Sequence, residues 1–67
     1  MAKVADRIKE LRIERDLTQM ELAKATGISQ NAIAQWENGK RTPNINAIVA
    51  LAKYFGVTTD YLLCVVD

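Results

Sequence analysis

Four of the five polar side chains between Gln30 and Asn38, in the stretch "QNAIAQWEN", are carboxamides. The basic pair Lys40 and Arg41 follows only after Gly39. At the α-helical angle of about 100° per residue, Gln30, Asn31, Ala34, Gln35 and Asn38 share an arc of roughly 140°. Ala32, Ile33 and Trp36 fall on the opposite side. One face is therefore a candidate core, and the other is neutral, rich in hydrogen-bonding groups and narrow at Ala34.

A carboxamide holds a donor and an acceptor in one plane. It can pair bidentately with adenine N6 and N7 in the DNA major groove, a contact worth about 1–3 kcal/mol of discrimination. A carboxylate on that face would be repelled by phosphate, and a lysine would bind any sequence. Ala34 permits close approach and can touch a thymine methyl. Gln30, Asn31, Ala34 and Gln35 are thus candidate base-reading residues. Lys40 and Arg41, just after the helix, are candidate phosphate contacts, and Asn38 and Asn44 flank the same loop. Gln19 joins them, because the free N–H groups of a first helical turn favour phosphate. Such contacts set register and carry no sequence information.

The elements that must position these residues are helices. Val4, Ile8, Leu11 and Arg15 recur at helical spacing and predict a first helix over 3–15. Thr18 and Glu21 match a capping box, Leu17 and Leu22 a hydrophobic staple, and Gly27 a left-handed stop, for a second helix over 19–26. Ser29 caps the third helix and Gly39 ends it. Only Gly27, Ile28 and Ser29 separate helices two and three, a tight helix–turn–helix connection. Asn44 is the preferred cap of a fourth helix over 45–55, with Thr42 before Pro43 as the alternative. Gly56 ends that helix, and Thr58 caps a fifth over 59–64. The fold class is all-α: a compact five-helix bundle forming one domain over 1–67, with no separate effector domain.

Composition narrows the chemistry. The chain has 67 residues, 49% of them hydrophobic, and a net charge of +1 from 9 basic and 8 acidic side chains. A basic footprint must then come from charge placement rather than total charge. There is one Cys and no His, which excludes an internal disulfide and Ser–His or Cys–His catalysis and leaves little basis for a zinc site. Asp6 and Glu10 beside Arg7 and Lys9 read as a solvated, ion-paired surface, not as a catalytic carboxylate pair. No signal peptide and no apolar run of ~20 residues is present, so a cytoplasmic protein without membrane contact is expected.

Residues 7–63, and above all "LTQMELAKATGISQNAIAQWENGKRTPNINAIVALAKYFGV", resemble the Cro/C1-type (Xre-family) helix-turn-helix domain of phage repressors. Gln19, Ala23, Gly27, Ile33 and Trp36 match the family's typical motif positions. The resemblance implies the lambda-repressor-like five-helix fold with helix three as recognition helix. It places base reading on Gln30, Asn31, Ala34 and Gln35, and phosphate contacts on Gln19, Asn38, Lys40 and Arg41. It also implies a structural ion pair between Arg12 and Glu37. Members of this family normally bind as dimers. Here the apolar end "YLLCVVD" offers Tyr61, Leu62, Val65 and Val66 as a dimer patch. Cys64 reads as a reduced, partly buried thiol, and Ile13 as a single exposed apolar residue.

The expected function is a sequence-specific regulator of transcription, a dimeric repressor whose partner is double-stranded DNA carrying a palindromic operator. No cofactor and no small-molecule effector is expected. The alternative is a protein-interaction module, such as an antitoxin or adaptor, built on the same fold.

Overall fold

The computed structural model describes residues 3–65. Within them the chain forms α1 (Val4–Glu14), α2 (Gln19–Thr26), α3 (Gln30–Glu37), α4 (Ile45–Phe55) and α5 (Thr59–Leu62), with no strand among the described residues. The helix starts follow from local capping. Thr18, Ser29, Asn44 and Thr58 each accept, through a side-chain oxygen, the backbone N–H three residues on. Each bond satisfies one of the donors that a first turn leaves free. Thr18 and Glu21 complete the expected capping box, since the Glu21 carboxylate accepts the Thr18 N–H at 2.8 Å. Asn44, not Thr42, caps α4.

Two helix ends differ from the expectation. α1 stops at Glu14 and α5 at Leu62. Asp16 and Cys64 then turn into the left-handed region, with φ of 57° and 63°. Their N–H groups and those of the following residues bond back to the last turns: Asp16 to Ile13 and Leu17 to Arg12, Cys64 to Tyr61 and Val65 to Asp60. This double closure normally uses glycine, so the sequence carries no stop signal at either place. At Gly27, φ of +74° places the chain where an L side chain is strained, and the turn between α2 and α3 depends on it.

Each helix contributes one aliphatic side chain that is fully shielded from solvent: Ile8, Leu22, Ile33, Leu51 and Leu62. Leu11, Ala23, Trp36, Ala47, Ile48, Ala52 and Phe55 complete the core around them. Burying a side chain of this size contributes about 1.5–3 kcal/mol. α3 packs on α1 and α2, while α4 packs on α2 and α5. At the far end of α1, the Arg15 guanidinium donates to the carbonyls of Phe55 at 2.6 Å and Tyr54 at 3.3 Å. A cation there satisfies acceptors that the end of α4 leaves open and complements its dipole. No helix among the described residues is long and apolar enough to cross a membrane.

Arg7 does not belong to a solvated ion-paired surface. It is buried, with its guanidinium 3.9 Å from the centroid of the Tyr61 ring. Its spacing explains this: Arg7 follows Val4 by three residues and precedes Leu11 by four, which puts it in the apolar stripe of α1. The aromatic face stabilises the cation where water is excluded. Among the described residues, neither Asp6 nor Glu10 forms an ion pair with Arg7 or Lys9.

Candidate nucleic-acid interface

α3 buries Ile33 and Trp36 and turns its opposite side outward. Gln30, Asn31 and Asn38 are exposed there, and Ala34 and Gln35 are half-buried. Successive turns set Gln30 beside Ala34 and Asn31 beside Gln35. The Asn31–Gln35 row forms one wall of an open cleft of about 410 Å³, and Arg41, Thr42 and Asn44 form the other. The loop is tied to the helix through Gln35, whose backbone carbonyl accepts the N–H of Lys40 at 2.9 Å and of Arg41 at 3.2 Å. Lys40 and Arg41 are both exposed, so their charges stand beside the cleft rather than on the helix face.

The carboxamides of this surface fall into two groups. Among the described residues, the side chains of Gln30, Asn31 and Gln35 have no hydrogen-bond partner in the protein, so each keeps both donor and acceptor free. Those around them are pinned. The Asn38 oxygen accepts the Lys40 N–H at 3.2 Å, and the Asn44 oxygen accepts the Ala47 N–H at 2.9 Å. In both, the N–H2 group remains, and a donor without a competing acceptor suits phosphate, which only accepts. Gln19 donates one amide N–H to Glu37 Oε1 at 3.2 Å and keeps a second. That bond was not legible in the sequence, because its partner lies on another helix.

Behind the face, Arg12 and Glu37 form the expected pair. Arg12 Nε meets Glu37 Oε2 at 2.7 Å and Nη2 meets Oε1 at 2.9 Å. The third nitrogen, Nη1, donates to the Leu17 carbonyl at 2.7 Å. The side chains are only 13% and 4% exposed. The bond to Glu37 raises the Arg12 pKa against the opposing effect of burial. One guanidinium thus joins α1, the loop before α2 and the last residue of α3, and it holds the outward face of α3 in place. Glu37, the one acidic residue of α3, is neutralised away from that face.

The proposed dimer patch changes. Leu62 is fully buried and belongs to the core, so it is not available at a surface. Tyr61 is half-buried with one ring face covered by Arg7. Val65 is 68% exposed, and Leu63, outside the expected patch, is 38% exposed. Val66 lies outside the described residues. Cys64 is a free, half-buried thiol, and Ile13 is exposed as expected.

Five short helices, with α2 and α3 joined through Gly27, Ile28 and Ser29 and α3 presenting a neutral polar face, define a helix-turn-helix domain. The chain belongs to the Cro/C1-type helix-turn-helix family, whose helix-turn-helix family model matches residues 8–62. The transcriptional activator BcrR of Enterococcus faecalis is 40% identical over 58 residues, covering 87% of this chain and 28% of that protein. The cryptic phage CTXphi transcriptional repressor RstR of Vibrio cholerae is 38% identical over 53 residues, covering 79% of this chain and 48% of RstR. The chain therefore spans less than half the length of these relatives. The crystal structure of the P22 c2 repressor protein in complex with synthetic operator 9T superimposes with a TM-score of 0.87 at 35% identity, covering 94% of this chain and 96% of that one.

Proposed function

We propose that this chain is a sequence-specific, double-stranded-DNA-binding regulator of transcription that reads the major groove with α3. The observation that carries this reading is the division of the carboxamides. Those at the centre of the face, Gln30, Asn31 and Gln35, are free at both donor and acceptor, as bidentate base recognition requires. Those at its rim, Asn38 and Asn44, have their oxygens occupied and offer donors, as phosphate recognition requires. α3 is about 12 Å long and, with side chains, about 10–12 Å across, which suits a major groove about 12 Å wide. Gln19, Lys40 and Arg41 add phosphate contacts around it. The likeness to a repressor in complex with its operator supports DNA as the ligand.

The role is binding rather than catalysis, in the cytoplasm and without a cofactor or effector. The chain acts as a dimer on a palindromic operator and represses by occupying it. Dimerisation uses the exposed apolar end at Leu63 and Val65, with Tyr61 at its edge.

The test is selection from a random duplex pool near physiological salt, run with the wild type beside a variant carrying Gln30→Ala, Asn31→Ala and Gln35→Ala. A palindromic consensus that the folded variant loses is the expected result. No enriched sequence from a folded wild type would overturn the DNA-binding reading and favour a protein-binding module.

A further inference from the structure

The chemistry free on α3 also constrains which base pairs it can read. Resting on the proposed function, we infer that the operator half-site under α3 is dominated by A·T pairs. Its adenines are read through N6 and N7 by Gln30, Asn31 and Gln35, and at least one thymine is read through its 5-methyl group by Ala34.

Adenine shows an acceptor (N7) beside a donor (N6) in the major groove, and a carboxamide is its complement. Guanine shows two acceptors, N7 and O6. A carboxamide finds no donor there for its oxygen, so it uses only half of its hydrogen-bonding capacity. An amide N–H2 can reach both only by leaving its own oxygen unpaired, whereas the usual partner of both acceptors is a guanidinium or ammonium group, and α3 carries neither. Arg12 is committed to Glu37 and Leu17, and Arg15 to the end of α4. Lys40 and Arg41 lie beyond Gly39, off the helix face, and their exposed charges are assigned to phosphate by the proposed function. Cytosine offers only a donor, for which a carboxylate is the strong partner, and the single carboxylate of α3 is the buried Glu37. The uncommitted groups on the face are therefore three carboxamides and one methyl.

Gln35 is the most constrained of the three. It is half-buried in the cleft wall, and its own carbonyl anchors the loop. It needs less ordering on binding than the exposed Gln30 and Asn31. It is expected to set the most strictly selected adenine. Ala34, beside Gln30 on the next turn, is half-buried and leaves room for a base edge to approach to methyl contact.

The experiment starts from the duplex selected by the full chain. Contacted adenines are replaced singly by 7-deazaadenine, thymines by uracil, and any guanine by 7-deazaguanine. Affinity is measured at fixed salt. An A·T-dominated half-site is expected, with about tenfold weaker binding for loss of one paired N7. Loss of a thymine methyl at one position should weaken the wild type by several-fold and leave the folded Ala34→Gly variant unchanged. The DNA substitutions need no altered protein, so the inference stays testable if that variant fails to fold. A consensus dominated by G·C pairs and sensitive to 7-deazaguanine would overturn this inference while leaving DNA reading by α3 intact. Absence of any consensus would overturn both.

Discussion

Arg12→Met should come close to unfolding the protein, although Arg12 touches no expected DNA contact except through Gln19. The substitution removes three charge-assisted donors, at 2.7, 2.9 and 2.7 Å. Glu37 is left with only the Gln19 amide, at 3.2 Å. With side-chain exposures of 13% and 4%, water can neither screen the pair nor resolvate the remaining carboxylate. Truncating one member of such a pair costs about 3–5 kcal/mol. A domain of this size has roughly 3–10 kcal/mol in total. At about 4–8 °C per kcal/mol, the midpoint of thermal unfolding should fall on the order of 20 °C. The double variant Arg12→Met with Glu37→Leu removes the unpaired charge as well. It should recover most of the loss, remaining about 1–2 kcal/mol below wild type because the Leu17 carbonyl and Gln19 amide lose partners. Urea melts followed by circular dichroism, at one fixed protein concentration, measure both changes. Arg41→Met is the control, since Arg41 is exposed and should shift stability by no more than about 0.5 kcal/mol. A loss below about 1 kcal/mol for Arg12→Met would refute the reasoning, as would a double variant that loses the sum of its two single variants.

Lys40→Ala and Arg41→Ala should each weaken binding to all duplexes alike and lower the slope of log affinity against log salt by about 1. An unchanged slope would remove that residue from the phosphate contacts. The backbone and side-chain bonds from Thr18 hold the Glu21 carboxyl below its ordinary pKa. Its stabilisation is therefore fully present above the ordinary carboxylate range and is lost as pH falls through the lowered value. Glu21→Gln should be less stable than wild type at neutral pH and converge with it in acid. Melts that stay equally separated at low pH would contradict this role. Val65→Asp should shift sedimentation toward the monomer without altering the helical spectrum, and an unchanged profile would place the dimer interface elsewhere.

What the sequence alone determined lies within about four residues along the chain. Thr18, Ser29, Asn44 and Thr58 cap helices through bonds to the third residue on, so all four starts could be read directly. The outward face of α3 follows from helical periodicity and was likewise legible, as was the tight turn at Gly27. Tertiary structure decided the rest, because its partners are distant in sequence or its local signals are weak. Asp16 and Cys64 adopt left-handed turns without glycine. A helix of four residues is too short for its pattern to define a face, so packing alone chose Leu62 over Leu63 for the core. Arg7 became buried because α5 brings Tyr61 against it. Which carboxamides remain free was also a tertiary outcome. Gln19 is pinned only because Arg12 brings Glu37 to it across three elements, and that same packing leaves Gln30, Asn31 and Gln35 with every donor and acceptor unspent.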